Sequence, residues 1–104
     1  MAREEAREHV LASIDGALNP FGDSVRIVVY YELKKMFGVS REEIIVKPEK
    51  LDETLVRIFG TGAQVLRQAI FARLEKDSGI KNLSGNGLAS AIRTVYHDKL
   101  EKLG

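Results

Sequence analysis

Val25-Arg26-Ile27-Val28-Val29-Tyr30-Tyr31-Glu32-Leu33-Lys34-Lys35-Met36-Phe37-Gly38 is the stretch on which the fold depends. Its middle, Ile27 to Tyr31, is an unbroken run of β-branched and aromatic residues, a composition that favours a strand. Its surroundings do not. A half-buried strand alternates apolar and polar side chains, and Arg26, Glu32, Lys34 and Lys35 continue the segment without alternation. Gly38 stands where a helix commonly ends in a left-handed residue. A helix is therefore expected over 23–37, with Gly22 loosening its entry and Asp23 or Ser24 as its cap. Apolar side chains take up most of its circumference. Such a helix lies at the centre of a bundle or is buried against a partner. Val29/Tyr30 and Val28/Tyr31 cannot all face one way, so some of this girth is expected to reach the surface.

Upstream, Ala6, Val10, Ile14 and Ala17 recur at helical spacing, and Leu11 and Leu18 widen the stripe, which predicts a helix over 3–18. Glu4, Glu5 and Glu8 complement its positive end, and Asn19-Pro20 stops it. Downstream, Ser40-Arg41-Glu42-Glu43 has the form of a capping box and opens a short helix carrying Ile44 and Ile45. Pro48 suits the first position of the next helix, whose buried stripe is Leu51, Leu55, Ile58 and Phe59. Gly60-Thr61-Gly62 is the sharpest punctuation. Gly60 is expected in a left-handed conformation, with Thr61 as cap and Gln64 completing a second capping box. A helix over 62–77 is expected to bury Val65, Leu66, Ala69, Ile70 and Leu74 and to stop at Gly79. Beyond a loop at 79–86, a last helix over 87–103 is expected to bury Leu88, Ala91, Ile92, Val95, Leu100 and Leu103. The expected fold is all-α: one compact domain over 1–104, an irregular or orthogonal bundle of five to six helices with 23–37 near its centre.

Bulk properties narrow the function classes. The 104 residues are 44% hydrophobic and 30% charged, as in globular domains rather than disordered chains. A net charge of +1 argues against coating nucleic acid or an anionic membrane. The lack of cysteine removes disulfides, thiolate metal sites and cysteine nucleophiles. With no apolar signal core near Met1 and no membrane-length apolar run, the expected location is the cytoplasm. Sparse Asn and Gln beside abundant Lys, Arg and Glu lean toward a thermophile.

Motifs with chemistry resolve into structure. Gly22-Asp23-Ser24 matches the nucleophile motif of one esterase superfamily, but Thr94, not Asp, stands three residues before His97. Gly60-Thr61-Gly62-Ala63 lacks the Lys and the preceding strand of a phosphate-binding loop. His9 and His97 are isolated, without metal-ligand spacing. No catalytic, cofactor or metal residue is therefore expected, and the chain reads as non-enzymatic. Arg67, Arg73, Arg93 and Lys99, in the more basic second half, are candidate phosphate contacts, diluted by Glu75, Asp77, Asp98 and Glu101. Tyr30, Tyr31 and Phe71 are candidate interface residues for a protein partner or for a second copy in a homodimer. The leading expectation is an interaction or regulatory module; the alternative is a nucleic-acid-binding accessory protein.

One resemblance is more specific. Phe21-Gly22-Asp23-Ser24-Val25, Tyr30-Tyr31-Glu32-Leu33, Phe37-Gly38-Val39, Glu43-Ile44, Pro48 and Phe59-Gly60-Thr61-Gly62-Ala63 with Leu66 together resemble the NitrOD5 domain, a small archaeal helical family of unknown function. The resemblance spans residues 21–80. It implies an archaeal, cytoplasmic protein of the kind found alone or as the output module of longer regulatory chains. It carries no catalytic residue.

Overall fold

A computed structural model describes all of residues 1–104. In it the run from Ile27 to Tyr31 is helical, and no strand is present. The α-helices are α1 (Ala2–Leu18), α2 (Asp23–Phe37), α3 (Pro48–Phe59), α4 (Ala63–Ser78) and α5 (Leu88–Leu103). Short 3₁₀ segments at Asn19–Phe21, Arg41–Ile45, Gly60–Gly62 and Leu83–Asn86 join them.

Local chemistry accounts for most of the boundaries. At the end of α2, Gly38 takes φ 67°, and its N–H donates to the Lys34 carbonyl at 2.9 Å. Val39 N–H reaches back to the Leu33 carbonyl at 3.5 Å, and the Val39 side chain is buried. A left-handed glycine followed by a buried apolar residue is the usual way to satisfy the last carbonyls of a helix. At Ser40 the expected box forms: the Glu43 carboxylate accepts from the Ser40 N–H at 3.0 Å. The helix it opens is 3₁₀ rather than α. At the start of α2, Gly22 itself is the cap, so neither Asp23 nor Ser24 caps with its side chain.

The second expected capping box does not form. Gly60 has φ 54° with ψ −126°, a combination outside the left-handed helix that needs glycine for want of a Cβ. The chain then makes a 3₁₀ turn over Gly60–Gly62, and Ala63 N–H bonds the carbonyls of Gly60 and Thr61. Backbone acceptors thus replace the Thr61 hydroxyl as the device that starts α4.

A single cluster of 21 buried residues draws on every α-helix. Its axis is α1, which lies against both α4 and α5 through Val10, Leu11, Ile14, Ala17 and Leu18. The expectation that 23–37 sits near the centre is overturned. α2 buries only Val29 and Leu33 and leans mainly on α3. Val25, Tyr30 and Phe37 pack half-buried against the core, and the rest of its apolar girth, Ile27, Val28 and Tyr31, is surface. Three further residues are corrected: Val65 is 60% exposed, Leu103 is exposed at the end of α5, and Leu100 is only half-buried.

Candidate functional site

The outer face of α2 follows from its periodicity. At about 100° per residue, Val29 and Leu33 share one side, and Ile27 and Tyr31 fall on the opposite side with Val28 beside them. Exposures match: Ile27 61%, Val28 42% and Tyr31 62%. Beside this face lies an apolar groove of about 220 Å³. Phe21 from the first 3₁₀ segment, Val25 from α2, Phe59 from α3, and Val65 and Leu66 from α4 line it. Val25 and Val28 are one helical turn apart, so groove and face form one apolar surface. Charge marks its two ends. Exposed Asp23 stands at the start of α2 and exposed Lys34 and Lys35 at its end, with the Lys35 ammonium 5.9 Å from the Tyr31 ring centre.

Of the three candidate interface residues, Tyr31 lies on this surface. Phe71 does not: it is 6% exposed and belongs to the core cluster, because Ile70, Phe71 and Leu74 together form the inward face of α4. Tyr30 is half-buried, and its hydroxyl donates to the Asp15 carboxylate of α1. Arg41 completes that contact, donating to Asp15 at 2.7 and 3.1 Å and to Glu8 at 3.1 Å. Burial, followed by the hydrogen bond to Asp15, raises the Tyr30 pKa and keeps the ring phenolic. Burial acts to lower the Arg41 pKa, but hydrogen bonds to Glu8 and Asp15 outweigh it and raise it. The cluster clasps α2 and the 41–45 segment to α1. The sequence reading missed Phe21 and Val65 as surface residues. For Val65 a signal was present, since exposed Gln64 and Gln68 flank it on the same side of α4.

The candidate phosphate contacts are spread apart, and most are neutralised. Arg67 bonds Asp52 at 2.6 Å, Arg73 bonds Asp77 at 3.0 Å and Arg93 bonds Glu49 at 2.5 Å. Lys99 alone of the four makes no ion pair. Arg73 also lies flat over Gly16 of α1, where a Cβ would come 2.7 Å from its guanidinium carbon. Burial acts to raise the Asp77 pKa, but hydrogen bonds from Ser13 and Arg73 hold it below the ordinary carboxylate value. An arginine already paired with a carboxylate gives up that pair to meet a phosphate. Duplex DNA is therefore expected to bind no tighter than about 100 µM even at ~50 mM salt, as read by fluorescence anisotropy. Tighter binding that weakens steeply as salt rises would reinstate the phosphate-contact reading.

The largest depression, about 530 Å³, lies along α5 between Ile80, Ser90, Arg93, Thr94, His97 and Glu101. It is polar and wide open, and its one arginine is held by Glu49. No three His, Asp or Glu side chains converge closely enough to hold a metal ion. No helix is long and apolar enough to cross a membrane. No protein-family model, no curated protein and no solved structure matches this chain.

Proposed function

We propose that this chain is a non-enzymatic interaction module that docks through the outer face of α2. The observation that supports it is the solvent exposure of Ile27, Val28 and Tyr31 beside the Phe21–Val65 groove. A helix with one free face ordinarily sets polar side chains there. A contiguous apolar surface of this kind is stabilising when a partner covers it and a liability when none does. Tyrosine suits such a place, with a large ring and a hydroxyl that tolerates water.

The resemblance to the NitrOD5 domain points the same way. Of the residues that carry it, Phe21, Val25, Phe59, Gly62 and Leu66 line the groove and Tyr31 stands on the face beside it. On this reading the protein is an archaeal output-type regulatory module working in the cytoplasm, and its surface passes on a state by being covered or uncovered.

In native extract of the source organism, the wild-type chain is expected to elute well above its own 11.6 kDa. A variant carrying Ile27→Asp and Tyr31→Asp keeps its fold, because both positions face water, and is expected to elute as the 11.6 kDa monomer. Wild type that is a monomer both in extract and, purified, at about 1 mM refutes the reading, and so does a variant that keeps a raised wild-type mass.

A further inference from the structure

We infer that the occupant of this face is a second copy of the same chain, packed with its α2 antiparallel about a two-fold axis that passes beside Val28. The inference rests on the docking reading above and names its partner.

The order of exposed residues along α2 carries the argument. From the N-terminus they run Asp23, Ser24, Ile27, Val28, Tyr31, Lys34, Lys35: acid, then apolar, then basic. Asp23 and Lys34 are about three turns apart and lie on nearly the same side of the helix. Asp23 lies six residues and Lys34 five from position 29, the middle of the Ile27–Tyr31 stripe, so the two are nearly equidistant from it. A two-fold axis at that middle lays Asp23 of each chain against Lys34 of the other, and Ile27 of each beside Tyr31 of the other. Each pairing occurs twice, as an isologous contact requires. A parallel copy sets aspartate against aspartate and lysine against lysine, and aligns the two helix dipoles head to head.

The two lysines are free for this use, and the Asp23 carboxylate is only loosely engaged. Asp23 touches only Arg26 of its own helix, at 3.5 Å, with its side chain 81% exposed. Lys34 and Lys35 are in no ion pair; Lys34 feels the exposed Glu43 through space. Two helices alone cover less than the ~1,200 Å² of a standard interface. The adjoining groove enlarges the contact, and the expected dimer is of modest strength, with Kd about 10–100 µM.

Sedimentation equilibrium on the purified full chain tests it. Wild type is expected to show a monomer–dimer equilibrium in that range. Asp23→Lys and Lys34→Glu should each weaken the homodimer roughly tenfold or more, because each sets like charges together at two places. Both positions are exposed, and circular dichroism confirms that the fold is kept. The distinctive result is complementation. An equimolar mixture of the two variants restores the dimer as a heterodimer. The introduced lysine of one chain then meets the introduced glutamate of the other, and the unaltered Asp23 meets the unaltered Lys34. Wild type that stays monomeric at about 1 mM overturns the second-copy inference. A raised mass in extract then leaves the docking reading standing, and a monomer in both removes the two together. A dimer indifferent to both charge reversals overturns the antiparallel geometry.

Discussion

Leu11→Ala is expected to lower the unfolding free energy by about 3–4 kcal/mol. Leu11 is wholly buried on α1, in the cluster that joins all five α-helices. Truncation removes three methyl-sized groups from the core and leaves a cavity that α4 and α5, held by their own contacts, cannot close. Small domains have only about 5–15 kcal/mol in total, so this change consumes a large share. Urea denaturation reads it as a fall in midpoint with an unchanged slope. Ile27→Ala is the matched control. It removes a similar side chain from the helix the sequence placed at the centre, yet Ile27 is 61% exposed, and the expected effect is within about 0.5 kcal/mol. Equal losses at the two positions would mean that α1 is not the axis of the fold.

Asp15→Ala is expected to cost about 2–3 kcal/mol, far more than an exposed ion pair. Asp15 and Arg41 keep only 21% and 26% of their side-chain surface. Alanine leaves the Tyr30 hydroxyl without its acceptor and Arg41 with Glu8 alone. The residues act together, so a cycle of Asp15→Ala, Arg41→Ala and the double variant should show a coupling of at least about 1 kcal/mol. Additive losses would dissolve the clasp into separate surface contacts. The same cluster predicts a dependence on pH. The Tyr30 pKa is raised above its ordinary 10.0, so its contribution is complete below pH 10 and is lost as pH rises further. Tyr30→Phe should flatten that alkaline decline in denaturation curves recorded across pH 9–11, relative to wild type.

The elements of the fold were largely legible in the residues, and their arrangement was not. Gly38, Pro48 and Gly79 act within a turn of their own position, so the sequence around each marks a helix end that the structure shows. Ser40 with Glu43 and Thr61 with Gln64 look alike locally, yet only the first pair forms a box, because Gly60 sends the chain into a 3₁₀ turn before Thr61 can cap. Which side of α2 faces in was hidden by apolar residues on nearly every side of it; periodicity selects a direction only when one side is polar. The arginines show the same limit. Arg73 and Asp77 are one turn apart and readable as a pair, whereas Arg67 with Asp52 and Arg93 with Glu49 meet across helices. Of the surface proposed for docking, Tyr31 is legible in the sequence as an interface residue, and the groove is not, because its walls come from five separate segments.

The shallow seating of α2 has a thermodynamic corollary. Anchored by Val29, Leu33, the half-buried Val25 and Phe37 and the Tyr30 hydroxyl, with its outer side bare, this helix is the segment expected to open first in local unfolding, and its amide protons should exchange ahead of those in α1. Whatever shields its outer surface must therefore also hold it shut. Occupancy and local order become one equilibrium, so a ligand that never touches the core still tightens the whole molecule, and mild heating loosens both at once.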